Sequence, residues 1–382
     1  MRLLAFGTYD PAYARTRNLL DGLRLTGVEV VECNAPLWAG TDDKVATIRG
    51  GWRVVGFAVR LLRAYARLLR QYAQVGDYDV MLILYGTLLD FYLGRVLSGL
   101  RRRPLVLDVL MSVWVIAKER GLFQPGDWRE RVIRLVEGTA LRWADYLLAD
   151  TPQYVAVHQR LYGVPPSKFG LIPLGADGRL FQPAPDYLAH AARPADTFEV
   201  VYHGLFVPLH GVQWMVEAAA GLRDDPTIRF TFIGDGVARR PAEEQARRLG
   251  LTNVEFRGLV PRAALQEALR EADAVMGVFG AQLQAQVTTP NKIYEGLALG
   301  KPVITAYTPA SAPQFRHGQH LLFVPVADPQ ALADAILTLR ANPSLRAALA
   351  YGGRRLFETR YDIPQLGALA KGYLEQFLFP HP

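Results

Sequence analysis

A chain of 382 residues is too long for one compact core and suits two domains. Half of its residues are apolar, which excludes a disordered chain, and its single cysteine, Cys33, excludes an intramolecular disulfide and a cysteine-built zinc site. The net charge of +7 is unevenly spread: residues 1–180 hold 24 Lys and Arg against 17 Asp and Glu, whereas 181–382 hold 19 of each, so an acidic partner is expected to meet the first half, be it a membrane surface, a nucleic acid or an anionic substrate.

The chain opens on MRLLAFGTYD, which enters a strand pattern at 3–6 without the long apolar stretch of a secretory leader. No window approaches the roughly 18 apolar residues that a spanning helix requires, so a cytoplasmic chain is expected. A helix over 12–26 ends near Gly27, and a strand at 28–33 carries Cys33 as an inert thiol. Residues 52–74 form a long helical pattern, followed by buried strands at 79–84 and 105–109, a helix at 128–143 and a strand at 145–150. Thr151 and Pro152 supply the cap and first turn of the next helix. Residues 182–197, rich in Pro, Ala and polar side chains, read as an interdomain linker.

The alternation then restarts, with strands at 198–204, 228–234, 253–258, 272–280 and 301–305. Helices are expected at 212–222, 239–249, 262–271, 290–300, 328–341, 343–359 and 363–378. Strands alternating with helices in both halves predict an α/β chain of two doubly wound, parallel-sheet domains in tandem.

Open sheets of this kind bind ligands beyond the carboxyl ends of their strands. Gly204, Gly234 with Gly236, Gly258 and Gly280 fall at those ends, where glycine allows sharp turns and close backbone approach. The segment TTPNKIYEGLALGKPVIT is sharper still. Pro290 suits a first helical turn, with Thr288 or Thr289 near the cap. Free N–H groups at that end attract an anion, Lys292 adds a cation in the same turn, and Glu295 lies one turn later on the same face, where a carboxylate can accept from a ribose diol. Seven histidines are scattered without ligand spacing, so no metal is expected.

In chain order, VYHGLFVPLHGVQWMVEAA, FIGDG, VEFRGLVP, ADAVMGVF, PNKIYEGLALGKPVIT and LLFVPVADPQALADAI resemble the donor-binding half of GT-B glycosyltransferases of the family 4-like (group 1) kind. A weaker match runs from FGTYD to DTPQYVAVHQRLYGVPPSKFGLIPLGAD. The resemblance implies the GT-B fold, two Rossmann-like domains facing across a cleft: 1–180 for the acceptor, a linker at 181–197, 198–360 for the nucleotide-sugar, and 361–382 as a helix crossing back. It implies transfer of a sugar, with retention of configuration, from a nucleotide-diphosphate sugar to an acceptor glycan or lipid-linked glycan in cell-surface polysaccharide or glycolipid synthesis. No further cofactor is implied.

Residue by residue, the resemblance brings the Gly204 loop to the donor phosphates, Lys292 to the diphosphate and Glu295 to the ribose, with Asn291 also on the donor-binding side. Gly234, Asp235, Gly236 and the stretch from Arg257 to Val260 line the base pocket. Three positions depart from the family. Leu205 and His210 stand where relatives usually carry Arg and Lys, and Val287 stands where many carry Glu. His210 is either a phosphate or acceptor contact or an ordinary loop histidine. On the acceptor side, Tyr9, Asp10 and Asp108 sit at strand ends. Asp108 either serves as the catalytic base or caps a turn.

The segment RVVGFAVRLLRAYARLLRQY places Arg60, Arg63, Arg67 and Arg70 on one helical face beside a leucine-rich one, with Trp52 at its start. It is either an inner-membrane contact through residues 52–72 or a helix that buries its leucines and solvates its arginines. No stacking motif or recognition fold accompanies the charge, so nucleic acid is not expected. A GT-B nucleotide-sugar epimerase and a non-catalytic nucleotide-sugar-binding protein are the competing functions.

Overall fold

The computed structural model describes residues 1–37, 53–85, 88–124, 126–194 and 196–380, with backbone alone for 53–55. It divides into two units, Met1–Pro173 with Ile363–Pro382, and Leu174–Asp362.

The first unit runs β1 (Arg2–Gly7), α1 (Ala14–Leu25), β2 (Glu29–Asn34), α2 (Arg53–Gln74), β3 (Val80–Ile83), α3 (Asp90–Leu100), β4 (Leu105–Asp108), α4 (Val113–Glu119), α5 (Trp128–Trp143), β5 (Tyr146–Ala149), α6 (Pro152–Tyr162) and β6 (Phe169–Leu171). Its six strands are parallel in the order β2-β1-β3-β4-β5-β6. Residues of β3, β4 and β5 are almost wholly buried, as strands covered on both faces must be. Alternate side chains divide between two cores. Leu4, Phe6, Met81 and Ile83 pack with Leu68 of α2, Phe91 of α3 and Leu141 of α5. Leu3, Ala5, Val80 and Leu82 face the other way. The Thr151 hydroxyl caps α6 by accepting from the Tyr154 N–H at 3.2 Å, with Pro152 at the first position.

The second unit runs α7 (Tyr187–Ala192), β7 (Phe198–His203), α8 (Val212–Gly221), β8 (Ile228–Ile233), α9 (Arg239–Arg248), β9 (Val254–Arg257), α10 (Arg262–Glu271), β10 (Ala274–Met276), α11 (Leu283–Val287), α12 (Asn291–Ala298), β11 (Val303–Ala306), β12 (Leu322–Val324), α13 (Pro329–Ala341) and α14 (Pro343–Leu356), ending in a π turn at Phe357–Tyr361. Its sheet is again parallel, in the order β12-β11-β10-β7-β8-β9. Part of the expected linker is helical: α7 packs against α14, and the fully buried Arg346 guanidinium donates to the Ala191 carbonyl at 2.9 Å and to the Leu339 carbonyl at 2.6 Å.

The chain then returns to the first unit as α15 (Ile363–Leu378). Leu366, Ala370 and Leu374 join Leu19, Leu20 and Leu23 of α1 over the Leu3–Val80 face. The backbones of α1 and α15 touch: a Cβ on Gly367 would stand 2.0 Å from the Gly22 carbonyl oxygen, so the contact admits no side chain there. No helix among the described residues is long and apolar enough to cross a membrane.

Candidate functional site

In the second sheet the chain moves outward from β7 to β8 and β9, then restarts on the other side of β7 with β10. The strand order therefore reverses between β7 and β10, and the loops beyond their carboxyl ends form the crevice where such sheets take ligands. The turn after β7 holds His210, whose carbonyl accepts from the N–H of Phe279 beyond β10 at 3.0 Å. Helix α12 begins beside it. Its N-cap is Pro290, which offers no side-chain cap, and Thr289 instead accepts from Gln314 at 2.8 Å. The start of α12 thus has no side-chain cap of the kind expected from Thr288 or Thr289.

Lys292, in the first turn of α12, is 5 % exposed. Its ammonium lies 3.2 Å from Nε2 of His210 and 5.2 Å from the centre of the Tyr202 ring. The histidine is held from behind. Its Nδ1 meets the Leu205 carbonyl, which can only accept, so Nδ1 carries the proton, and the Lys292 ammonium, 3.4 Å from Nδ1 as well as 3.2 Å from Nε2, lies against the ring rather than along the Nε2 lone pair. The Tyr202 hydroxyl donates to the same carbonyl at 2.8 Å and stands 2.7 Å from Nδ1. Burial pushes the Lys292 pKa down to about 7, with Glu295 opposing. Burial, then the Lys292 charge, pushes His210 well below its ordinary value and His203 to about 3. One lysine thus sits among uncharged rings, with the Glu295 carboxylate one turn away and 3.6 Å from Nε2 of His203.

Gly204 lies directly against this lysine. A Cβ there would come within 3.4 Å of the Lys292 Cε and Nζ. Gly204 also donates to the Ile233 carbonyl at 2.9 Å, joining the ends of β7 and β8. Gly234 has φ +134°, and a Cβ on it would lie 2.0 Å from the Gly204 carbonyl oxygen, so this crossing requires glycine. Gly236 approaches the Phe206 backbone in the same way, Asp235 is exposed beside it, and Val260 is half-buried after β9.

Gly204, His210, Lys292 and Glu295 therefore converge, with Gly234, Asp235 and Gly236 adjoining and Asn291 opening α12. The Asn291 side-chain oxygen is buried without a hydrogen-bond partner at that helix end. Leu205 is half exposed, and Val287 is a buried apolar side chain that offers no carboxylate. Sequence reasoning missed Tyr202 and His203. Their signal is a pair of polar-tipped side chains that follow the apolar Val200 and Val201 at the end of a strand.

In the first unit the acceptor-side candidates have partners within the fold. The Asp108 side chain is wholly buried and accepts from Arg15 at 2.8 Å, while Arg15 also donates to the Ile172 carbonyl at 2.6 Å. A carboxylate fixed on a buried guanidinium braces β4, α1 and the chain after β6, the structural one of its two expected roles. Tyr9 is buried too, and its hydroxyl donates to Glu32 at 2.7 Å. Asp10 is exposed and accepts from the Ala12 N–H at 2.9 Å in a turn. Two missed acidic residues organise the same sheet end. Asp90 accepts from the Thr8 N–H at 2.5 Å, and Glu137 accepts from the N–H groups of Val113 and Trp114 at the start of α4, at 2.9 and 3.0 Å.

Comparison with known proteins gives two family matches: "Glycosyl transferases group 1" over residues 197–342 and "Glycosyl transferase 4-like domain" over residues 12–175. The chain is 28 % identical over 306 residues to a D-inositol 3-phosphate glycosyltransferase of Thermomonospora curvata, covering 73 % of this chain and 67 % of the relative. It is 26 % identical over 301 residues to the lipopolysaccharide core biosynthesis glycosyltransferase LpsD of Rhizobium meliloti, covering 74 % and 84 %. In fold it is similar to sucrose-phosphate synthase of Thermosynechococcus elongatus, with a TM-score of 0.74 at 20 % identity over 99 % of this chain and 98 % of that one.

Proposed function

The chain belongs to the group 1 glycosyl transferases, GT-B hexosyltransferases that draw on nucleotide-sugar donors, and from that premise we propose that the Lys292–Glu295 crevice holds the donor while its sugar passes, with retention, to a glycan or lipid-linked glycan. The observation that carries the assignment is the meeting of Lys292 with the side-chain-free Gly204 at the point where the strand order reverses. As the bond from the sugar to the diphosphate breaks, negative charge grows on the leaving oxygen. A cation and an uncapped helix end already in place stabilise that charge without reorganisation. Glu295 can accept from the ribose diol. Retention rests on the family resemblance; Val287 cannot supply the carboxylate that many relatives place there.

The test offers UDP-, GDP-, ADP- and TDP-sugars together with a membrane glycolipid extract, and follows released nucleotide and labelled lipid product. Acceptor-dependent nucleotide release is the expected result, with the anomeric configuration of the product unchanged by NMR. Conversion of the donor without nucleotide release would replace this assignment with an epimerase. Tight binding without turnover on any acceptor would replace it with a binding protein.

An acceptor at a lipid surface is supported by the outer face of the first unit. Arg60, Arg63, Arg67 and Arg70 of α2 are all exposed, beside Leu62 at 68 % exposure. Helix α5, which covers the same sheet face, exposes Trp128, Val132, Leu135 and Trp143 among Arg131, Arg134 and Arg142. Tryptophan and arginine together suit the headgroup region of an anionic bilayer. Trp52, the start of the expected 52–72 contact, lies outside the described residues. Changing Arg60, Arg63, Arg67 and Arg70 to Gln is expected to weaken binding to phosphatidylglycerol vesicles by roughly 100-fold or more, since each basic side chain near such a surface contributes about 1 kcal/mol. Equal sedimentation of both proteins with these vesicles would remove the lipid surface from the proposal.

A further inference from the structure

The first sheet reverses its strand order as well. From β1 the chain moves outward to β2, then restarts on the other side of β1 with β3. The carboxyl ends of β1 and β3 are therefore the place where this sheet opens a crevice to a ligand. Two tyrosines meet there. Residues 10–13 form a turn after β1, in which the Tyr13 N–H donates to the Asp10 carbonyl at 3.2 Å and the Ala12 N–H to the Asp10 carboxylate at 2.9 Å. Two residues on, the buried Arg15 ties the start of α1 to Asp108 and to the Ile172 carbonyl, so the turn has a fixed base. Tyr85 follows β3. The two rings lie 5.6 Å apart, centre to centre, with their planes tilted by 32°. Tyr85 is half-buried, whereas Tyr13 is 37 % exposed. Neither phenol hydroxyl makes a hydrogen bond among the described residues.

We propose that Tyr13 and Tyr85 form a platform for an uncharged pyranose ring, the ring that receives the transferred sugar. The inference rests on the sugar transfer proposed above. A pyranose has a face of C–H groups, which packs on an aromatic ring, and a rim of hydroxyls, which exchange hydrogen bonds with phenols. The surrounding charge excludes an anion. The carboxylates of Asp108, Asp150 and Glu137 face the pair against the guanidinium groups of Arg15 and Arg120, and Arg15 is already committed to Asp108. A phosphate or carboxylate on the ligand would meet this acidic balance as a like charge. Burial, then Asp108, holds the Tyr13 hydroxyl above its ordinary range, with Arg15 opposing, so it stays protonated and can donate.

Saturation-transfer NMR on the whole protein tests this with the methyl glycosides of glucose, mannose, galactose and N-acetylglucosamine. At least one of them is expected to take saturation on its ring C–H protons. Tyr13→Ala removes the platform and is expected to abolish that transfer, while Tyr13→Phe, which keeps the ring, retains most of it. Glucose 6-phosphate is expected to bind at least about tenfold more weakly than methyl glucoside. In turnover with the best-bound glycoside, Tyr13→Ala should raise the acceptor KM about tenfold, with a smaller change in kcat and none in the donor KM. Saturation of none of the four glycosides overturns the inference, as does saturation unchanged in Tyr13→Ala. Equal loss in the Ala and Phe variants removes the stacking role, and binding of the phosphate ester as tight as that of methyl glucoside removes the selection for an uncharged ring. Transfer to an acceptor that lacks a sugar ring overturns the platform and leaves sugar transfer standing. Glycosides that bind at Tyr13 while no nucleotide-sugar gives up its sugar to any acceptor support the platform and refute the transfer.

Discussion

Lys292→Ala is expected to abolish sugar transfer while leaving the protein folded. A hydrogen-bonded contact to a charged partner contributes roughly 1.5–3 kcal/mol, which sets donor binding back by about 10- to 150-fold. The rate should fall further than the affinity, because the diphosphate carries more charge in the transition state than in the bound donor; losing one such preorganised group costs roughly 100- to 1,000-fold in kcat. With no Arg or Lys at positions 205 and 210, no neighbour in the turn after β7 takes over the charge. The fold should not suffer. Lys292 is a buried amine whose pKa is lowered to about 7, so below that pH the folded chain carries a charge it would hold more cheaply unfolded. That penalty is complete below pH 7 and fades as pH rises toward the ordinary lysine value. Lys292→Met should therefore raise the thermal midpoint most clearly near pH 6. Turnover near the parent rate in Lys292→Ala, with the parent's donor affinity, would remove this residue from the site.

Asp108→Ala is expected to have the opposite character, a loss of stability that carries activity down with it. The carboxylate and Arg15 are both fully buried and make a fork of bonds, with Arg15 Nε 3.2 Å and its terminal nitrogen 2.8 Å from one oxygen. Removing one partner strands a guanidinium in a core that also fixes the Ile172 carbonyl. Breaking buried pairs in this way costs about 3–5 kcal/mol. Replacing both, as Asp108→Leu with Arg15→Met, should recover much of the loss because no charge is left unpaired. A base would behave differently: Asp108→Asn would leave the denaturation midpoint near the parent's and remove turnover. An intact midpoint with lost turnover would return Asp108 to the chemistry.

The strands that sequence reading located share one physical property. DVMLIL, LVLDV, FEVVYHG and IRFTFIG are apolar runs with no helical periodicity, and the interior of a covered parallel sheet demands that pattern. β6 and β12 were missed because three residues, FGL and LFV, are too few to show any period. α4 and α11 are short for the same reason, at 7 and 5 residues. The segment AHAARP looked like linker by composition, yet alanine favours helix and α7 forms once Arg346 caps its end from far along the chain. The site divides in the same way. Lys292 and Glu295 were legible because helical spacing alone sets them on one face. The Asp108 partner was not, since Arg15 lies 93 positions away and nothing local marks it. Nor does spacing reveal that the His210 ring lies against Lys292, held there by a carbonyl five residues earlier.

The return of α15 to the first unit has a consequence for synthesis. The first sheet leaves the ribosome early, but the helix that covers Leu3, Val80 and Leu82 is made last, after the whole of the second unit. The second unit, whose residues are contiguous, can fold during translation, whereas the first must wait with one apolar face open until residues 363–378 emerge. Nascent chains arrested after residue 362 should therefore show a protease-resistant second unit beside a first unit that still engages chaperones.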